Sequence, residues 1–259
     1  MASPAHAKAI PGSGSQVKEL KYWNGRGLMD PPRMMMVMAG KGFEDKRIGD
    51  GEGLTPHASI GDLSANLGRV PLAVTSSGNI GQSTAINFFV ASECDMMGSS
   101  KFEAACILAF CEHIKEMVAS YFSLVPWGTE PKEGALDTFF DSFEASDVSG
   151  TADMKTRSQR YLRWYLGRLE VMVPGDGYCV GGRLSLADVA LFNALANNLG
   201  PDDHLAGLGA PAFKRETFAS AVRTKEALKA HPKLAAIVAN VEAHPKLQAW
   251  LATRGKQGF

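Results

Sequence analysis

The 259-residue chain lacks most of the patterns that assign a chemistry outright. It has no C-x-x-C pair and no metal-ligand spacing among its four cysteines and six histidines. G-x-G-x-x-G, P-loop and H-E-x-x-H motifs are missing as well, so no nucleotide or zinc chemistry is indicated. Charge of one sign is also lacking. Its 27 basic and 27 acidic side chains cancel, which gives no reason to expect nucleic acid or an anionic membrane as partner. No run of about 18 apolar residues occurs, so no membrane span is expected. A thiol–disulfide centre would want a cysteine where the first helix begins, and Asn24 to Pro32 holds none. Cys94, Cys106, Cys111 and Cys179 read as reduced, mostly buried thiols of a cytosolic protein. Residues 1–17 are rich in Ala, Ser, Pro and Gly, hold no acidic residue and lack an apolar core, and are expected to be a disordered tail rather than a secretory signal.

What is present is an ordinary globular composition, 45% hydrophobic, enough for one large or two small domains. Val17 to Trp23 reads as a first strand and Phe43 to Ile48 as a second. Between them, Asp30 is a plausible N-cap, Pro31 fits the first turn, and Met34, Met35, Val37 and Met38 give a helix its apolar face before Gly40. Gly49 to Asn66 reads as a loop with one short helix.

The organising stretch is Leu67 to Val90. Val70, Leu72 and Val74 alternate as in a half-buried strand, Ser76 to Asn79 is turn chemistry, and Gly81 to Thr84 opens a helix. Pro71 at a strand start must be accommodated by an edge, a bulge or a special bond geometry. Ser83 is placed to cap the helix, whose free N–H groups favour an anion. Residues 93–100 read as a linker, and beyond them the chain is helical. Phe102 to Phe122 and Thr151 to Leu169 carry apolar residues at three- and four-residue steps. Ser185 and Asp188 form a capping-box pattern ahead of an almost wholly apolar helix, Leu186 to Ala196. Two identical tetrapeptides, His231 to Leu234 and His244 to Leu247, each place a proline at a helix start.

Val70-Pro71 followed by Gln82-Ser83-Thr84-Ala85-Ile86 resembles the glutathione-binding half of cytosolic glutathione transferases. Leu20 to Gly27 (LKYWNGRG) resembles the sigma-class first strand, and Glu44 to Ile48 its second. The Ser185–Asp188 box and the final H-P-x-L-x-x-W, His244 to Trp250, resemble the family's helical half. The resemblance runs in order over residues 18 to 255. It implies an α/β thioredoxin-like N-terminal domain at 18–92, a linker at 93–100 and an all-α C-terminal domain at 101–259. It implies a cytoplasmic homodimer that takes glutathione as co-substrate and conjugates it to small, mostly apolar electrophiles, as in detoxification. By carry-over Tyr22 is the catalytic residue, donating to the glutathione sulfur. Val70 would pair with the cysteinyl backbone beside a cis bond at Pro71. Gln82 and Ser83 would hold the γ-glutamyl end, and Arg69 would approach the glycyl end.

The pattern departs from the family in places. Leu28 stands where sigma enzymes have a second arginine, leaving Arg26 alone. Leu108 stands where a partner subunit often offers an acid. Arg47 and His57 are candidates for the glycyl carboxylate, and Tyr121, Phe122 and Trp127 for core or second-substrate wall. A glutathione-dependent isomerase and a non-catalytic, transferase-like binding or structural protein are the alternatives.

Overall fold

The computed structural model describes residues 6–48, 63–124, 126, 132–141, 160–197 and 222–254. Its N-terminal part is a five-stranded mixed sheet, β1 (His6–Ile10), β2 (Val17–Trp23), β3 (Phe43–Ile48), β4 (Leu72–Thr75) and β5 (Gly78–Gly81), in the spatial order β1-β3-β2-β4-β5. β2 and β3 are parallel, as the crossover through α1 (Asp30–Ala39) requires; the remaining pairs are antiparallel. The β4–β5 hairpin turns at Ser76–Ser77, where Thr75 Oγ1 accepts the Ser77 N–H at 3.1 Å. α2 (Ser83–Glu93) follows directly.

Two starts differ from the sequence expectation by one position. Met29, not Asp30, precedes the first turn of α1, because a 3-10 turn at Gly27–Met29 runs straight into the helix. Gln82, not Ser83, occupies the N-cap of α2, and no side chain caps that helix. The tail differs more. His6–Ile10 is a strand paired antiparallel to β3, where disorder is the expectation. β3 would otherwise expose an edge of main-chain donors and acceptors, and pairing with them asks little of side-chain identity.

α3 (Lys101–Leu124), α4 (Ala135–Asp141), α5 (Leu162–Met172), α6 (Leu186–Leu195), α7 (Val222–Lys229), α8 (Pro232–Glu242) and α9 (Pro245–Thr253) form the helical part. Both tetrapeptide prolines begin their helices. α6 is the hub, packing against α1, α3 and α8. Its start is held by Asp188, whose Oδ2 accepts the Ser185 N–H (2.7 Å) and Oγ (2.6 Å) and whose Oδ1 accepts the Cys179 N–H (2.6 Å). Burial pushes the Asp188 carboxyl upward, partly opposed by those hydrogen bonds. The first part of the expected Thr151 to Leu169 helix, 151–159, lies outside the described residues; the rest is in α5.

Candidate functional site

Strand direction brings the candidate residues to one end of the sheet. β2 runs antiparallel to β4, with Lys21 opposite Leu72, so the C-terminal end of β2 lies beside the residues entering β4. Leu72 also pairs with Gly81, which carries the end of β5 to the same edge. Tyr22, Val70, Pro71, Gln82 and Ser83 therefore share that end. The Val70–Pro71 bond is cis. Gln82 has φ +66°, a conformation that a non-glycine residue rarely adopts and that concentrates at functional sites. Gln82 is exposed and Ser83 half-buried, and the N-terminus of α2, with neither a side-chain cap nor an acid in its first turn, leaves its N–H groups available to an anion.

The Tyr22 ring is buried, 7% exposed, but its oxygen lies under the β2–α1 turn. The Leu28 amide donates to it, and a Cβ built on Gly27 (φ +39°) would lie 2.7 Å from it. Leu28 itself is half exposed, at 53%, so this turn is the outer wall of the site. Burial raises the phenol above its ordinary 10.0, the Leu28 hydrogen bond and the Arg33 charge oppose that, and Asp30 adds to it. The phenol therefore keeps its proton at neutral pH. With its oxygen accepting from Leu28, the O–H remains to be donated.

Below the turn lies a buried ionic cluster the sequence reading missed. Arg33 (0% exposed), Asp45 (4%) and Arg47 (2%) come from α1 and β3. Arg33 Nε donates to Asp45 Oδ1 at 2.9 Å; Arg47 Nε and Nη2 donate to Oδ2 at 2.9 and 2.7 Å. Arg47 is thus committed inward and is no candidate for a glycyl carboxylate. Burial pulls its guanidinium down to about 10, so it still carries its charge at neutral pH. The signal for this cluster was present: an arginine inside the apolar run of α1, and Asp45 and Arg47 two apart on one face of a strand. Asn66, also missed, is buried and donates from Nδ2 to the Pro71 carbonyl at 2.9 Å, which fixes the backbone where it enters β4.

Other candidates scatter. Arg69 is exposed, with Nε 3.4 Å from the Asn66 carbonyl. Arg26 is buried, and its Nη1 donates to the Asn197 carbonyl at 3.1 Å. Tyr121 is core, edge-on to Phe139 at 5.1 Å, whereas Phe122 is 38% exposed. His57 and Trp127 lie outside the described residues. Among the described residues no group of three His, Cys, Asp or Glu side chains could hold a metal. A cavity of about 270 Å³ between α6, α7 and α8, lined by Leu195, Leu228 and Val238, involves none of the residues above.

Residues 136–254 match the family model described as glutathione S-transferase, C-terminal domain. The chain is similar to the glutathione transferases. It is 22% identical to S-crystallin SL11 of Nototodarus sloanii over 93% of this chain and 98% of that one. It is 29% identical to glutathione S-transferase A3 of Mus musculus over 68% of this chain and 72% of the relative. The Onchocerca volvulus Pi-class glutathione S-transferase superposes with a TM-score of 0.63 at 21% identity, covering 91% and 92% of the two chains. The fold is therefore that of the glutathione transferases, a mixed-sheet thioredoxin-like part followed by a helical part. No helix among the described residues is long and apolar enough to cross a membrane.

Proposed function

We propose that this transferase-like chain binds glutathione at the Tyr22–Pro71–Ser83 end of the sheet and adds its thiolate to small electrophiles. The observation that carries the reading is the convergence there of a buried phenol oxygen already engaged by the Leu28 amide, a cis Val70–Pro71 peptide and an uncapped helix N-terminus. Tyr22 donates to the sulfur. A free thiol titrates near ~8.5, and lowering it by about two units takes about 2.7 kcal/mol. One hydrogen bond to a charged acceptor supplies about 1.5–3 kcal/mol. Val70 pairs its backbone with the tripeptide, and Ser83 with the first N–H groups of α2 receives the γ-glutamyl carboxylate, with Gln82 beside it. Arg69, exposed at the same end, approaches the glycyl end. The sigma-like strand, Leu20 to Gly27, supports placement near that class. The active form is a homodimer, supported by three exposed apolar side chains, Leu67 (83%), Phe102 (77%) and Phe88 (46%).

The likeness to S-crystallin SL11 across nearly the whole chain favours a second reading, a non-catalytic protein with the same cleft. Retention on immobilised glutathione and a chloronitrobenzene conjugation assay of wild type and Tyr22→Phe decide between them. Retention with conjugation that Tyr22→Phe slows about 10- to 100-fold is the expected result. Retention without turnover supports the second reading; a glutathione-free, isomerised product instead of a thioether identifies an isomerase.

A further inference from the structure

Two guanidiniums grip one carbonyl. The Gly25 oxygen, at the head of the β2–α1 turn, accepts from Arg33 Nη1 at 2.8 Å and from Arg47 Nη1 at 3.0 Å. The same two arginines are joined on their other side by the Asp45 carboxylate, one oxygen to each. Carboxylate, two guanidiniums and carbonyl close a ring, all within the protein. The turn it holds continues through Arg26, whose carbonyl accepts the Met29 and Asp30 N–H groups at 3.1 Å, and delivers the Leu28 N–H to the Tyr22 oxygen. Gly27 packs against that oxygen too closely to admit a side chain. Arg47 also sits directly opposite Tyr22 in the β2–β3 register. The position of the phenol oxygen thus follows the turn, and the turn follows the clamp.

We propose that Asp45, Arg33 and Arg47 are positioning residues for Tyr22, supplying from beneath the rigidity and positive charge that Leu28, facing outward, does not give. This rests on the glutathione reading above. A role in stability alone fits less well. Burying such an ion cluster is expensive, and apolar replacement of buried ion pairs is often neutral or stabilising. Moreover, Arg33, although paired with Asp45 and Asp30, keeps its Nη2 buried with no hydrogen-bond partner, a cost that stability alone does not explain. The charges acting on Tyr22 are Arg33 and Asp30 from α1; Asp30 is itself paired with Arg254 after α9, and Arg47 and Asp45 lie on the neighbouring strand β3.

The test is Arg47→Met, which roughly keeps the length but removes Arg47's hold on Gly25 and Asp45 while leaving Arg33's, with Arg47→Lys as the conservative partner if the first does not fold. The measurements are the pH profile of kcat/KM, the ultraviolet absorbance of bound glutathione thiolate against pH, and the thermal midpoint. The rising limb is expected to move up by about one unit, with about tenfold loss at neutral pH. Combining the change with Tyr22→Phe should add little, because the clamp acts through Tyr22. A lowered thermal midpoint with an unmoved limb, or an effect that simply adds to that of Tyr22→Phe, overturns the proposal. If Tyr22→Phe itself leaves the limb in place, the glutathione reading fails instead; if Tyr22→Phe moves it and neither Arg47 variant does, only the clamp fails.

Discussion

Tyr22, the donor in the proposed function, combines a buried ring with an oxygen held at the rim. Its ring packs in the core while its oxygen is engaged by a backbone amide at the rim, and burial raises the phenol above 10.0. An acid whose pKa is raised keeps its proton over a wider range, so the donor survives up to and beyond pH 10. The pH profile of kcat/KM should therefore rise through the titration of the glutathione thiol and show no falling limb below pH 10 from loss of the Tyr22 proton. Tyr22→Phe should move the rising limb toward ~8.5 and reduce kcat/KM at pH 6.5 by about 10- to 100-fold, the loss of one charged hydrogen bond. A wild-type limb already at the free-thiol position is the adverse result.

The cysteines make a complementary case. Burial pushes Cys94 and Cys111 up to about 12 and Cys179 higher still, so at pH 7 all three are thiols, not thiolates. An aromatic disulfide reagent should leave these three unmodified in the native protein and titrate all four cysteines after denaturation. Rapid native labelling of Cys179, followed by peptide mapping, would contradict that.

Among the elements, α6 carries the most consequence per residue. Nearly all its side chains are buried, and its N-terminus is secured by Ser185 and Asp188. Ser185→Ala should lower stability by about 1 kcal/mol. Asp188→Ala should cost more, because it strands three buried donors at about 1 kcal/mol or more each. Denaturant midpoints of the two variants provide the measurement, and equal, negligible shifts would refute the cap. This box was legible from four residues, since a cap is a local device. The strand β1 was not legible: its alternation, Ala7 and Ala9 beside His6 and Lys8, rests on alanines with little strand preference, and it exists because β3 offers an unpaired edge brought near by the fold. The one-residue offsets at α1 and α2 have a similar cause. A 3-10 turn precedes one, and Gln82 at positive φ precedes the other.

On the scale of the molecule, two features tie distant segments together. Asp30, fully buried at the start of α1, accepts from Asn197 after α6 and from Arg254 after α9, both at 2.9 Å. The first helix of the sheet half is thereby fastened to the end of the helical half. The second feature faces outward. Leu67, in a left-handed conformation just before the cis-proline segment, is 83% exposed, which is a poor place for leucine in water. Burial against a second copy would return about 1.5–3 kcal/mol per leucine. Leu67→Asp should thus shift the protein from dimer to monomer in sedimentation equilibrium, with its thermal unfolding little changed at concentrations where it is monomeric. A wild type that is monomeric at high concentration would remove the dimer.

Local chemistry determined the strands, the hairpin, the proline-led helices and the Ser185–Asp188 cap, because each depends on residues within a few positions of one another. The order of the proposed site residues along the chain, and their resemblance to glutathione transferases, rest on short local motifs as well. Only the tertiary structure decided that Arg47 turns inward to Asp45 and Gly25, that Arg26 reaches the Asn197 carbonyl, and that residues 6–10 join the sheet. Those outcomes depend on which charged groups meet after distant segments pack, and buried charges take whatever partners the packed chain provides.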